Sequence, residues 1–338
     1  MITHAGKRTL TLENRPYLLS HAAAVGKKEG EGPLGSRFDF VTRNDRMGQK
    51  SWELAESELQ RTAIDLALRK GSLRHCDLDL ILAGDLLNQC IGSFLASMHS
   101  DVPYLGQYGA CSTMAQGLAL GGVLVEAGAA ARLAVSASSH FCSAERQYRF
   151  PLAYGGQRTP TAQWTATAAG AAVLGAEGGS SVRMTHVLFG KMIELGVKDA
   201  NNMGAAMAPA ACDTLSCLLR ELGAQPTDFD CIVTGDLGRV GADLLLTLLR
   251  EDGIDLSPVY SDCGILLFGD TQDAHAGGSG CGCSAAVLCG PLLRDMHEGK
   301  IRRMIFAGTG AMMSPTSVQQ SQPIAGICHA VVLERSGA

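Results

Sequence analysis

The chain has 338 residues, of which 46% are hydrophobic and 18% charged, with a formal net charge of −5. That is apolar material for one large domain or two of ordinary size. An acidic balance without a long basic run excludes an electrostatic nucleic-acid binder. Aromatic residues make up 5% and glycines number 41, a profile suited to close packing of helices on sheets. The 12 cysteines lack regular spacing, so they do not read as a disulfide framework. Cys281 and Cys283 stand in a Gly-rich stretch with no second pair at zinc-ligand spacing.

In chain order, the N-terminal MITHAGKRTL has no signal-peptide apolar core. KKEGEGPLG, from Lys27, reads as a flexible loop and lacks the spacing of a phosphate-binding P-loop. Glu56–Leu73 has helical periodicity, and DLDLILAGD (Asp77–Asp85) follows it as a buried strand. GACSTMAQGL then opens an apolar helix that turns at Gly128 and enters a strand ending LAVSASSH. This stretch, Gly117–Ala137, is broken by Glu126 and Arg132, short of the roughly 18 apolar residues a spanning helix needs. The expectation is a soluble cytoplasmic protein that reaches a membrane only through partners. A strand over Thr165–Gly175 closes this half.

The second half repeats the first. Ala208–Ala224 reads as a helix, and DFDCIVTGD (Asp228–Asp236) parallels Asp77–Asp85. Cys283–Ala311 parallels Cys111–Ser139, both opening with Cys-Ser, and Gln322–Glu334 parallels Thr165–Gly175. The expected order is helix, strand, helix, strand, strand, twice, with halves 1–180 and 181–338. Alternation of this kind predicts an α/β fold with mostly parallel pairing. Both Cys-Ser helices are almost free of charge, so a shared, buried central layer is expected between two sheets. Asp85 and Asp236 match across the repeat, which suggests a structural job such as capping.

Two βαβαβ halves with a cysteine at the N-terminus of the first buried helix resemble the thiolase and ketoacyl-synthase superfamily. The resemblance rests on GACSTMAQGL, GAAVLG, GGSGCGCSAAVL and GTGAMMSP, in that order. It implies the thiolase-like fold, layered α-β-α-β-α. Within the superfamily, KKEGEGPLGSRFD, GQKSWELAESELQ, SSHFCSAERQYRFPLAYGGQRTPTAQWT and HAGGSGCGCSA resemble the stage V sporulation protein AD family. That resemblance implies binding of dipicolinic acid, pyridine-2,6-dicarboxylate, and its movement with calcium into the developing spore. It also implies membrane-protein partners from the same sporulation operon, peripheral association with the spore inner membrane, and a homodimer formed through the first-half sheets.

Condensing enzymes of the superfamily pair the cysteine with two further side chains, His and His or His and Asn, that stabilise charge and move protons. At the first position this chain has TGDLGRVG, without histidine. At the second, Ser279 or Gly282 stands in the turn GGSGCGCS. His275, at the start of that loop, is the only candidate substitute. A binding protein is therefore expected, with a condensing acyltransferase acting through Cys111, or a pure docking scaffold, as alternatives. A dicarboxylate needs donors at both ends and an apolar slot between them. The candidates are the helix N-terminus at Cys111, Ser112 and Thr113, and His140 at a strand end. Arg149 or Arg158 would grip a carboxylate. The Gly308–Met313 turn would add donors at Gly310, with Met312 and Met313 over the ring face. No resident metal or cofactor is expected.

Overall fold

The computed structural model of the chain describes residues 1–148 and 158–336. A short hairpin, β1 (Ile2–His4) and β2 (Thr9–Leu12), precedes two repeats. The first repeat contains β3 (Tyr17–Val25), α1 (Trp52–Lys70), β4 (Leu80–Gly84), β5 (Tyr104–Gln107), α2 (Thr113–Glu126), β6 (Arg132–Ser139) and β7 (Ala168–Gly175). The second contains β8 (Val182–Leu188), α3 (Met203–Leu222), β9 (Cys231–Thr234), α4 (Gly238–Glu251), β10 (Tyr260–Asp262), α5 (Cys281–Val287), β11 (Arg303–Met312) and β12 (Ala325–Arg335).

The strand orders are the same: β5-β4-β6-β7-β3 and β10-β9-β11-β12-β8. In each, the first three strands run parallel and the last two pairings are antiparallel. The two sheets touch edge to edge at Arg183 and Tyr17, and β2 pairs with β8, so the N-terminal hairpin joins the second sheet. Each repeat also holds two strands beyond the expected order. One is the leading strand (β3, β8). The other is the short edge strand (β5, β10), whose few residues carry too little apolar pattern to be seen in sequence.

Local signals set the outer helices. Ser51 caps α1 by accepting from the Leu54 N–H, and Arg69 and Lys70 lie in the last turn. Leu59, Ala63, Ile64 and Ala67 of α1 pack on Ile81, Ala134, Ala171 and Val173 of the first sheet. The helices α3 and α4 cover the outer face of the second sheet through Ala211, Leu215, Leu218, Leu245 and Leu249. Between the sheets lie α2 and α5, in a core shared with Leu133, Val135, Phe306 and Val331. The architecture is five layers, α-β-α-β-α, as expected. Among the described residues no helix is long and apolar enough to cross a membrane, and all 12 cysteines are free thiols.

The repeats are not equivalent around their Cys-Ser pairs. Cys111 and Ser112 precede α2, whereas Cys283 and Ser284 lie inside α5. The residue that stands before α5 as Cys111 stands before α2 is Ser279.

Contact across the central layer is made by backbone. A Cβ on Gly282 would lie 2.2 Å from the Ala168 oxygen and 2.6 Å from the Ser139 nitrogen. Neither atom can retreat without breaking the sheet. Gly282→Ala is therefore expected to lower the unfolding free energy by about 1–3 kcal/mol or more. Urea unfolding monitored by circular dichroism checks this; an unchanged midpoint would contradict the packing described.

Candidate functional site

The loop ahead of α2 brings Cys111 to the middle of the molecule. Ala110, just before it, has φ +49°, sparsely populated for a residue with a Cβ. The turn is held by the Ser112 hydroxyl on the Gly109 carbonyl (2.6 Å) and the Thr113 hydroxyl on the Ala110 carbonyl (2.7 Å). The Ser112 and Thr113 N–H groups also bond to Gly109 and Ala110. They are therefore not free to receive a ligand carboxylate, contrary to the expectation from sequence.

Two side chains from the second repeat face the thiol. The Ser279 Oγ lies 3.9 Å from Sγ. The Asp236 carboxyl, just beyond β9, is hydrogen-bonded beside it. Asp236 also accepts from the Ser279 hydroxyl (3.1 Å), the Gly280 N–H (2.9 Å) and the Thr309 hydroxyl (3.0 Å). The Gln163 amide donates to its main-chain oxygen at 2.7 Å. Asp236 and Ser279 thus reach the thiol from TGDLGRVG and GGSGCGCS, the two segments singled out in the sequence. Burial raises the Asp236 carboxyl to about 6, and hydrogen bonds from the Cys111 thiol, the Gly280 N–H and the Thr309 hydroxyl hold it down from a further rise.

The thiol is the reverse of an activated nucleophile. Burial, and then the neighbouring carboxylate, push Cys111 well above its usual pKa. A helix N-terminus favours the thiolate by about 1 kcal/mol at most exposed sites. Burial and the neighbouring Asp236 carboxylate both oppose it. They outweigh the helix terminus, and Cys111 stays protonated at neutral pH.

The remaining expected residues scatter. His140 is buried, with Nε2 donating to the Asp45 carbonyl (2.9 Å) and Nδ1 accepting from the Cys142 N–H (3.1 Å). Both ring nitrogens are used, so it is a structural histidine packed on Trp52. His275 spends its nitrogens on the Thr159 carbonyl and Asp273, and does not partner the thiol. The Gly308–Met313 segment is not a turn: through Met312 it is the end of β11, paired with β12. Gly310 lies against the Cys111 loop, where a Cβ would meet the Gly109 oxygen at 2.5 Å. Met312 and Met313 do line an open groove of about 400 Å³, with Leu87, Cys90 and Tyr108. Arg158 lies over Trp164 instead, and Arg149 lies outside the described residues. Among the described residues no group of His, Cys, Asp and Glu is placed to hold a metal ion.

Asp85 and Asp236 share a place in the repeat but not a job. Asp85 accepts from the Leu87 and Ser93 N–H groups and the Ser93 hydroxyl, stapling its own loop. Asp236 staples three segments and also faces the cysteine. The sequence held one clue, an acidic residue where histidine was expected.

The fold is that of the thiolase-like condensing enzymes. The chain aligns over 95% of its length with 98% of OleA from Xanthomonas campestris (TM-score 0.61, 14% identity). It aligns over 94% with 99% of 3-oxoacyl-[acyl-carrier-protein] synthase III from Aquifex aeolicus (TM-score 0.57, 14% identity). These likenesses are of fold. At the level of sequence, the profile of stage V sporulation protein AD matches residues 6–334. Stage V sporulation protein AD of Bacillus subtilis (strain 168) is 42% identical over 332 residues, 98% of both chains. The chain belongs to the stage V sporulation protein AD family.

Two outcomes follow for Asp236. Its proton is bound more tightly in the folded than in the unfolded chain, so its contribution to stability is full below about pH 4 and lost as pH rises through about 6. Asp236→Asn is expected to remove that decline, on the order of 2–3 kcal/mol, in urea titrations at pH 4 and pH 7. The same variant is expected to lower the Cys111 pKa and speed its alkylation by iodoacetamide, read by peptide mass spectrometry. An unaltered alkylation rate would show that the carboxylate does not govern the thiol.

Proposed function

We propose that this chain binds dipicolinic acid and serves its uptake into the developing spore without catalysing a reaction. The observation that supports the second half of this reading is the pair Asp236 and Ser279 facing Cys111, with no histidine beside the thiol among the described residues. A buried carboxylate beside the cysteine opposes the thiolate, and the Ser279 hydroxyl is already donated to that carboxylate instead of being free to polarise a substrate carbonyl. The ligand is supported by membership of a sporulation family and by the resemblance of its long, unusual segments. Calcium accompanies the ligand as cargo in this reading, and the partners are membrane proteins of the same sporulation operon. The protein itself stays peripheral to the spore inner membrane.

A homodimer fits the first sheet. Its edge strand β5 presents Leu105 at 50% exposure, and Phe94, Met98 and Tyr108 are also exposed nearby in the chain. Sedimentation velocity is expected to give a dimer, shifted toward monomer by Leu105→Lys.

Calorimetric titration of dipicolinate, with mass spectrometry of protein incubated with acyl-CoA, tests the function. Binding heat without an acyl adduct on Cys111 is the expected result. An acylated Cys111 would establish the condensing acyltransferase instead. Absence of both would leave a docking scaffold.

A further inference from the structure

A dicarboxylate needs cationic donors, and the centre of the molecule offers none. The Ser112 and Thr113 amides are already bonded, and Asp236 there repels a second carboxylate. The groove beside Met312 and Met313 is lined by apolar and neutral polar side chains only. The unpaired positive charge lies elsewhere, one strand away from Ser279.

Trp164 begins a two-residue strand paired with Gly278–Ser279. Phe141 stacks on its ring at 3.9 Å and 11°. The Lys28 Nζ lies 3.3 Å from the Trp164 ring centroid, which puts it on the opposite face from Phe141. Phe268 lies 5.8 Å from the same Nζ. The Arg158 guanidinium stands 4.5 Å from the Trp164 centroid. Arg158 Nη2 donates to the main-chain and side-chain oxygens of Asp273, at 2.5 and 3.2 Å. Its Nη1 is buried with no hydrogen-bond partner.

Two like charges therefore converge on one indole. Lys28 makes no ion pair among the described residues, and burial and Arg158 both depress its pKa. The ring offsets part of that repulsion, since the face of an indole attracts a cation. The unsatisfied Nη1 remains, and a buried donor without a partner is destabilising. One anion bridging the two cations would satisfy both.

We propose that Lys28 and Arg158 form the carboxylate-binding subsite of this protein, in which Nζ and Nη1 donate to the two oxygens of one ligand carboxylate beside Trp164 and Phe268. This rests on the reading above that the ligand is an aromatic dicarboxylate, and it moves the grip on that ligand away from Cys111. Arg158 belongs to the candidates drawn from sequence. Lys28 and Trp164 do not: Lys28 lies in a one-turn helix, Lys27–Gly30, where a loop was expected, and Trp164 in a strand far from it in the chain.

The test uses Trp52→Phe protein, so that red-edge excitation reports Trp164 alone. Dipicolinate, pyridine-2-carboxylate and inorganic phosphate are titrated separately. Dipicolinate is expected to change the emission. Lys28→Gln should weaken its binding about tenfold or more, since a hydrogen bond to a charged group is worth about 1.5–3 kcal/mol. Arg158→Lys keeps the charge but loses the planar fork, and should weaken it less. Lys300→Gln, which removes a surface charge elsewhere, should leave affinity unchanged. Dipicolinate binding untouched by Lys28→Gln and Arg158→Lys would overturn the subsite. If dipicolinate fails to bind while pyridine-2-carboxylate or phosphate acts through Lys28, the subsite stands and the dipicolinate reading falls. If no probe changes the emission while calorimetry detects dipicolinate, the subsite falls and the dipicolinate reading stands; no emission change and no heat overturn both.

Discussion

The structure depends on enclosing two helices between two sheets. Buried on both sides, α2 and α5 have no wet face on which to place charge, and α5 rests on β7 with backbone against backbone. This explains the run of Ala, Gly and Cys in CGCSAAV and the lone acidic residue in α2, Glu126, at the helix end. There it accepts from the Asn14 N–H, so its charge is satisfied at the rim of the layer. Close approach of main chains also leaves little room for water, which is why polar groups in the layer are tied in networks.

The same enclosure shapes the chemistry at Cys111. A thiol near the start of a helix in an open cleft would be acidified. Here the surroundings are dry and the nearest ionisable group is an acid, so both leading influences act against the thiolate. Asp236 carries donors from two hydroxyls and a main-chain amide. Hydrogen bonds from the Cys111 thiol, the Gly280 N–H and the Thr309 hydroxyl keep its pKa near neutrality despite full burial. The arrangement joins β9, β11 and the loop before α5 at one point.

Cationic groups gather on the other side of the Trp164–Thr165 and Gly278–Ser279 pair. Charge there is compensated by ring faces and by Asp273 rather than by a full set of carboxylates. The contrast with the central site is physical. An anion entering beside Cys111 meets a carboxylate and spent amides, while one entering beside Trp164 meets an unpaired ammonium and an unpaired guanidinium N–H.

The repeat, the five layers and the buried central helices were legible in the sequence, because burial on one or two faces writes itself into local apolar periodicity. So was the absence of histidine from TGDLGRVG and GGSGCGCS, as a plain matter of residue type. The edge strands β5 and β10 were not, being too short for a pattern. Gly308–Met313 reads locally as a turn, yet most of it is strand, because ten consecutive pairings with β12 override the preference of Gly. His140 ends a strand as a ligand residue would, but only folding shows its nitrogens already spent on Asp45 and Cys142. Composition and periodicity are properties of neighbours in the chain, and they determined the architecture. Which side chains share a site depends on contacts between residues more than a hundred positions apart, such as Asp236 with Cys111 and Lys28 with Trp164, and only the tertiary structure decided those.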